Sequence, residues 1–232
     1  MSTAEAIALK EYLLNHADEI GKVVDFDPAT DRLMSFDFTA NNTFLSPETI
    51  ADTGLFSNWI EQQLGQSDSR YGIGGYNEHR TLYARSSHFG DNTEPRRLHL
   101  GVDIWGPAGT AIYSPLNGYV HSFQFNDHFG DYGATIILVH QLGNLTIHTL
   151  YGHLSLASLD GLEKGHRVPK GSHFADFGIP EENGHWPPHL HFQLIFDMGS
   201  HDGDYPGVCA FPKREEYLRN CPDPNDLLAF TF

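Results

Sequence analysis

Cysteine, basic residues and long apolar runs are all scarce in this chain. Its two cysteines, Cys209 and Cys221, are too few for a disulfide framework in 232 residues, so we expect free thiols. Lys and Arg number 14 against 30 Asp and Glu, and the formal charge of −16 disfavours nucleic acid and anionic membranes as partners. No apolar run is long enough to span a bilayer.

The N-terminus also lacks the basic region, apolar core and small-residue cleavage site of a secretory signal. The sequence therefore predicts a cytoplasmic protein, or a secreted or periplasmic one whose signal has been removed. The excess of acidic residues favours a neutral or cationic peptide over an anionic molecule as binding partner. The same negative charge could equally serve only to keep the protein soluble. The 40% hydrophobic content suffices for a substantial core.

Helical patterns dominate the first part of the chain. A capping box and apolar residues at helical spacing predict a first helix over residues 2–20. Ser46 before Pro47 predicts the start of a second, broken helix that stops at Gly65. The segment QSDSRYGIGG that follows is typical of a linker.

These patterns predict a helical N-terminal extension, residues 1–70, and a separate domain, residues 71–232. Within the latter, short strand-like segments surround two predicted turns, at Asn117-Gly118 and around Gly143. Strands of this length and spacing predict a mainly β fold of sandwich or barrel type. A short helix is expected near residues 213–219.

Five residues with metal-binding chemistry occur in three short motifs, HLGVD, LYGHL and PPHLHFQ. They are, in chain order, His99, Asp103, His153, His189 and His191. Two imidazoles and a carboxylate could hold a metal ion, with two further imidazoles close enough to move protons. Each motif alone is weak evidence for a metal site, but the three motifs are unlikely to occur together in this order by chance.

The geometry of two motifs can be worked out from strand spacing. On a strand, His189 and His191 project from one face, roughly 6–7 Å apart, so that one can bind an ion while the other stands beside it. On a straight strand His99 and Asp103 would lie about 13 Å apart, too far to share an ion. The chain must therefore bend between them, and Gly101 permits the bend.

Two imidazoles and one carboxylate without thiolate suit zinc, and three protein ligands leave the fourth tetrahedral position open. An open site lowers the pKa of a water there to about 7, which predicts a zinc hydrolase. His153 and His189 are candidates to accept the proton of that water, steady an oxyanion and protonate a leaving amine. Eight further histidines are expected to be surface residues or buried residues with their hydrogen bonds made: His121, His128, His140, His148, His166, His173, His185 and His201.

Together these motifs resemble the lysostaphin/LytM-type zinc metallopeptidases, which cut peptide bonds in bacterial peptidoglycan. The likeness runs through HLGVDIWGPAGTAIYSPLNGYV, TIHTLYGHLS, GLEKGHRVPKGSHFADFG and PPHLHFQ. The resemblance implies one zinc ion per chain held by His99, Asp103 and His191, with His153 and His189 as the catalytic pair. It also implies a mostly antiparallel β core, a lysostaphin-like domain over residues 71–232, with the site in an open groove.

The chain departs from the family pattern in places. The family's glutamate after HLHF is Gln193, which we expect at an outer position. The segment ENGHWPP replaces a small-residue approach to the HLH motif, and Trp186 in it would narrow the groove. Tyr83 and Arg80, in GGYNEHRTLY, are candidates with Trp186 to contact substrate, although a structural role is equally open for the first two.

The segments GGYNEHRTLY, GHWPPHLHFQ and GDYPGV are also similar to lysostaphin-like domains joined to aminotransferase and kinase-like domains in large intracellular proteins. Three functions therefore stay open. They are a zinc endopeptidase or amidase acting on peptidoglycan-like or small peptide substrates, an intracellular zinc hydrolase with a non-wall substrate, and a non-catalytic binding module. The presence of all five motif residues favours catalysis.

Overall fold

The computed structural model describes residues 4–85, 94–228 and 230. Its strands are β1 (Leu33–Phe36), β2 (Tyr71–Gly74), β3 (Arg96–His99), β4 (Val102–Trp105), β5 (Ala111–Tyr113), β6 (Gly118–Asn126), β7 (Gly133–Leu142), β8 (Leu145–Leu154), β9 (Arg167–Val168), β10 (His173–Asp176), β11 (His189–Ile195) and β12 (Val208–Ala210). Its α-helices are α1 (Ala4–Asn15), α2 (Pro47–Ala51), α3 (Thr53–Ser67), α4 (Arg214–Asn220) and α5 (Asn225–Leu228). The predicted mainly β fold is confirmed.

Eight strands form one large sheet in the order β1-β2-β4-β11-β8-β7-β6-β9. Its pairs are antiparallel except for β1 and β2, which run parallel. Two small sheets, β10-β5 and β12-β3, flank it. The predicted turn at Gly143 joins β7 to β8, but the one at Asn117-Gly118 closes no hairpin, because β5 pairs with β10 and β6 with β7.

The second helical region begins where its sequence signal predicts, whereas Ser2 of the capping box predicted for the first helix lies outside the described residues. The Ser46 side chain accepts a hydrogen bond from the Thr49 N–H at 3.2 Å, so the predicted N-cap is confirmed. At its end, α3 continues past Gly65 to Ser67, where Asp68 adopts a left-handed conformation and caps the helix. The first helix ends at Asn15, short of the predicted residue 20.

The linker predicted from QSDSRYGIGG is wrong for Tyr71–Gly74, which form the fully buried strand β2 between β1 and β4. The glycines mark close packing there, not a loop. A Cβ at Gly72 would lie 2.0 Å from the Phe36 ring, and one at Gly74 would lie 2.6 Å from the Arg80 guanidinium. Residues of the N-terminal extension thus share the large sheet.

The buried apolar side chains form three clusters, of which the second positions the site. This second cluster joins Phe38 and Phe56 from the N-terminal part of the chain to Trp105, Trp186 and Tyr83. We call these five residues the aromatic cluster. Trp105 is the last residue of β4, the strand that carries Asp103, and its ring stacks on that of His189. Packing in this cluster therefore affects the motif residues.

The C-terminal part contains features that the sequence indicated and one that it did not. Cys209 and Cys221 are buried and unpaired, as expected, and α4 confirms the short helix predicted there. The strand β12 was not predicted; it pairs with β3 beside His99. Among the described residues, no helix has both the length and the apolar character needed to cross a bilayer.

Candidate metal centre

Three strands bring the predicted metal ligands together. His99 ends β3, Asp103 lies in β4 and His191 lies in β11, where the register pairs it directly with Asp103. The chain leaves one sheet and enters another between His99 and Val102, so the predicted bend is confirmed. Gly101 is required there for space as well, since a Cβ would lie 2.6 Å from the His191 ring.

The three ligand atoms form a nearly equilateral triangle. His99 Nε2 lies 3.0 Å from His191 Nδ1 and 3.2 Å from Asp103 Oδ1, and the last two atoms are 3.1 Å apart. Ligands about 2.0–2.1 Å from a tetrahedral zinc ion would be about 3.3 Å apart. The triangle therefore has the size of one face of a zinc coordination tetrahedron, and it is the one group of this kind in the part of the chain that the structure describes.

Hydrogen bonds to the outer ring nitrogens decide where the imidazole protons are. His99 Nδ1 donates to the Gly75 carbonyl at 2.8 Å, so its Nε2 carries the lone pair. His191 Nε2 donates to Gln193 Oε1 at 2.9 Å, which leaves the lone pair on Nδ1. The Gln193 amide cannot be turned round, because its NH₂ group donates to the Pro206 carbonyl at 3.2 Å. Both lone pairs face the centre of the triangle.

Asp103 supplies the negative charge. Burial alone would raise the pKa of this carboxyl, but the positive charge of Arg80 beside it acts in the opposite direction, and the pKa lies well below its usual range. The Arg80 guanidinium donates to Oδ2, so Oδ1 is the oxygen that meets the two imidazoles. Two lone pairs and a carboxylate oxygen thus converge with no proton between them. Such an arrangement calls for a cation, and the donor set fits zinc.

Gln193 therefore does not occupy the outer position expected from the sequence. Its side chain is fully buried, because β11 is covered on both faces along its whole length. Residues two apart on a strand share a face, which places Gln193 beside His191. It orients the His191 ring through the Nε2–H hydrogen bond, as hydrogen-bond partners of metal-binding histidines typically do.

His153 and His189 lie together next to the triangle, with their ring centroids 4.1 Å apart. Their Nδ1 atoms donate to the carbonyls of Asn183 at 2.8 Å and Pro187 at 2.7 Å, so each Nε2 carries a lone pair. Burial lowers the pKa of His153 well below its usual range and that of His189 to about 4. Both imidazoles are therefore neutral at pH 7, with Nε2 unprotonated.

Residues 97–202 match the model of peptidase family M23. The chain carries a domain of this family. The predicted resemblance to lysostaphin/LytM-type enzymes is thus confirmed at the level of the family, and so is the prediction that the domain is of a hydrolase type. The M23 match contains all five motif residues but none of the N-terminal extension.

Two curated proteins resemble the M23 domain. The DD-carboxypeptidase/endopeptidase Mpg of Neisseria meningitidis serogroup B is 32% identical over 127 residues, which are 52% of this chain and 26% of that protein. The peptidoglycan DD-endopeptidase ShyA of Vibrio cholerae is 31% identical over 137 residues, 53% of this chain and 29% of that one. The chain thus spans less than a third of the length of either relative.

Among solved structures, the catalytic domain of lysostaphin from Staphylococcus simulans is 22% identical to this chain, with a TM-score of 0.42. That likeness covers 75% of this chain and 98% of the lysostaphin domain.

The three predicted substrate contacts surround the M23 site. Arg80, Tyr83 and Trp186 are all buried and line a cavity of about 140 Å³ beside the five motif residues. Arg80 donates to Tyr83 Oη at 3.2 Å, and the Tyr83 and Trp186 rings meet edge to face at 6.1 Å. Contact of these residues with substrate stays a prediction.

Sequence reasoning missed several residues that line the same cavity. Tyr132 lies with its ring centroid 5.1 Å from that of His191 and 5.5 Å from that of His153. His201, expected to be an ordinary surface or core residue, also lines the cavity, as do Asp131 and Asp204. These residues lie in loops, without the regular spacing that identified the histidine motifs.

Proposed function

We propose that this chain is a zinc-dependent metallopeptidase, of endopeptidase or amidase type, that hydrolyses a peptide bond in peptidoglycan-like or small peptide substrates. The observation that supports it is the convergence of two imidazole lone pairs and one carboxylate oxygen within 3.0–3.2 Å. The names of the relatives support the substrate class, since Mpg and ShyA are both named as endopeptidases and ShyA as acting on peptidoglycan.

His99, Asp103 and His191 would hold the ion. Zinc bound by three protein ligands supplies Lewis-acid polarisation of a carbonyl and acidifies a water. Burial keeps the triangle away from bulk solvent, which strengthens electrostatic interactions within it. Arg80 and Gln193 would hold Asp103 and His191 in the ligating orientation.

His153 and His189 would move the protons. Each presents Nε2 as a proton acceptor, with the ring held by a carbonyl at Nδ1. One of them accepts the proton of the attacking water, and a proton is returned to the nitrogen of the leaving amine. His189 is held further by the Trp105 ring, which stacks on it at 3.9 Å with an interplanar angle of 11°.

The dimensions of the cavity favour a second candidate, a zinc hydrolase with a small, non-wall substrate. Its volume of about 140 Å³ is below the range of about 300–1,000 Å³ common for small-molecule sites. Buried Tyr83 and Trp186 form its walls. A cytoplasmic location, as expected from the sequence, would agree with this candidate.

Metal analysis followed by substrate assays tests the proposal. We expect about one zinc per chain in the wild type, none in His191→Ala, and an unchanged content in the control His173→Ala, whose imidazole is exposed and far from the motif in sequence. Cleavage of cross-linked muropeptides supports the first candidate. Zinc-loaded protein that cuts only unrelated small peptides favours the second, and a wild type without zinc overturns both.

The catalytic pair is tested separately. His189→Ala should keep zinc and lose turnover. His153 has a positive φ of 64°, so His153→Asn is the better variant, because Asn tolerates this backbone conformation and Ala does not. Loss of zinc in both variants would show that these residues bind the metal and that their assignment to proton transfer is wrong.

A further inference from the structure

The aromatic cluster connects the N-terminal part of the chain to the metal centre through one side chain. Phe38 is 1% exposed and its ring centroid lies 5.3 Å from that of Trp105. The guanidinium carbon of Arg80 also lies 5.3 Å from the Phe38 ring, a cation–π distance. A single residue therefore touches two side chains that each contact a different motif residue.

The first route runs through Arg80 to the ligand Asp103. Arg80 donates to Asp103 Oδ2 and, through Nε, to Glu78 Oε2 at 2.7 Å. Glu78 is in turn held by the backbone of Phe38, because its Oε1 accepts a hydrogen bond from the Phe38 N–H at 3.2 Å. With Oδ2 occupied in this way, Asp103 can offer the metal only Oδ1. The position of Arg80 thus determines which carboxylate oxygen of Asp103 is available to the metal ion.

The second route runs through Trp105 to His189. Within the described residues Trp105 Nε1 has no hydrogen-bond partner, although it is buried. Only packing holds the indole, against Phe38 and against Phe56, whose ring centroid lies 5.9 Å away. Since the His189 imidazole stacks on that indole, its tilt depends on how the aromatic cluster is packed.

We propose that Phe38 is a positioning residue of the metal centre, acting through Arg80 on Asp103 and through Trp105 on His189. The M23 match begins at residue 97, so this contribution comes from outside the family domain. The inference rests on the proposed zinc site. It goes beyond that site because it gives a residue of the N-terminal extension, Phe38, a role in orienting the residues of the metal centre.

Phe38→Leu is the most informative variant, because it removes the ring without changing any charge near the metal. Phe36→Leu is its matched control. Phe36 is also buried and contacts Phe38 and Trp59, with ring centroids 5.6 Å and 5.5 Å away; in the part of the chain that the structure describes, its ring meets neither Arg80 nor Trp105. Both changes should lower the midpoint of thermal unfolding by similar amounts.

Zinc affinity, measured by competition with a chromogenic chelator, distinguishes positioning from general stability. We expect Phe38→Leu to weaken zinc binding about tenfold, the lower end of effects seen when partners of metal ligands are lost, and Phe36→Leu to leave it within about twofold. With Co²⁺ in place of zinc, the visible absorption spectrum should change in Phe38→Leu and not in Phe36→Leu.

Gly74→Ala provides a second test if Phe38→Leu does not fold. A Cβ there would lie 2.6 Å from Arg80 Nη2, 3.2 Å from Trp105 Nε1 and 3.3 Å from the Phe38 ring, and would push these groups apart. It should also weaken zinc binding. Equal affinities for the wild type and either variant would overturn this inference alone, whereas a wild type that binds no zinc would overturn the proposed function with it.

Discussion

The Nε2–H of His191 donates to Oε1 of Gln193 at 2.9 Å, and this bond turns the Nδ1 lone pair towards Asp103. The orientation of this proposed metal ligand is thus set by a residue two positions along the same strand. The Gln193 NH₂ group completes the arrangement by donating to the carbonyl of Pro206.

Replacing Gln193 separates the acceptor from the donor functions of its amide. Gln193→Leu removes the acceptor, so we expect zinc affinity to fall about 10–100-fold in a chelator competition assay. Gln193→Glu keeps an acceptor for His191 but sets a buried carboxylate oxygen against the Pro206 carbonyl. It should retain more zinc affinity than the leucine variant while unfolding at lower denaturant concentration. If both variants bind zinc like the wild type, the hydrogen bond has no orienting role.

A methyl group at Gly101 should disturb the metal centre. The added Cβ of Gly101→Ala would lie 2.6 Å from the His191 ring and 2.8 Å from the Phe192 carbonyl. We expect a loss of about 1–3 kcal/mol in the free energy of unfolding, together with weaker zinc binding.

Gly65→Ala is the control for Gly101→Ala, because it adds the same methyl group at a position with open space. Position 65 lies inside α3, and nothing is within 4 Å of an added Cβ. The same methyl group should therefore stabilise the protein by about 0.5–1 kcal/mol, because alanine is the better helix former. Denaturant unfolding of both variants, compared with wild type, checks the opposite signs.

His140 should make stability depend on pH. Burial lowers the pKa of this histidine from 6.5 to about 4, and its Nδ1 donates to the Asn117 carbonyl at 3.0 Å while Nε2 accepts from Thr149 Oγ1 at 2.7 Å. Between these two pH values the unfolded chain binds a proton that the folded protein does not. Stability therefore falls as the pH drops from 6.5 towards 4, by about 3 kcal/mol from this group.

His140→Gln should remove that part of the pH dependence. The free energy of unfolding of wild type and variant, measured by urea denaturation at pH 7 and pH 4, gives the difference. Contributions from the histidines of the metal centre are common to both proteins and cancel. Identical pH profiles for wild type and His140→Gln would contradict the prediction.

Trp186 should limit the size of the residue that enters the cavity. Its buried ring forms one wall, so Trp186→Leu enlarges the space beside His153 and His189. Once a cleaved peptide is known, we expect kcat/KM for bulkier analogues to rise about tenfold relative to the parent peptide. Trp59 packs against the second buried cluster but does not line the cavity, so Trp59→Leu should leave that ratio unchanged.

The convergence of His99, Asp103 and His191 could be predicted because their two motifs are short patterns with a geometric consequence. The HxH pair needed only strand alternation, and the bend at Gly101 followed from the reach of the chain. Gln193 could not be placed correctly, because strand alternation says that it shares a face with His191 but not that this face is buried.

The N-terminal contribution was missed for a different reason. Gly72 and Gly74 have the composition of a linker, and their close approach to Phe36 and Arg80 is a tertiary property that no local pattern contains. Phe38 likewise has no motif around it. Its contacts with Trp105 and Arg80 join residues more than forty positions apart, and only the assembled fold brings them together.

The position of β2 has a practical consequence for fragments of this protein. Strand β4, which carries Asp103, has β11 on one side and β2 on the other. A fragment trimmed to residues 97–202 would lose β2 and leave the backbone amides and carbonyls of β4 unpaired along an open sheet edge. Such an edge is a template for pairing with other chains, so the isolated fragment should aggregate even though it retains every motif residue.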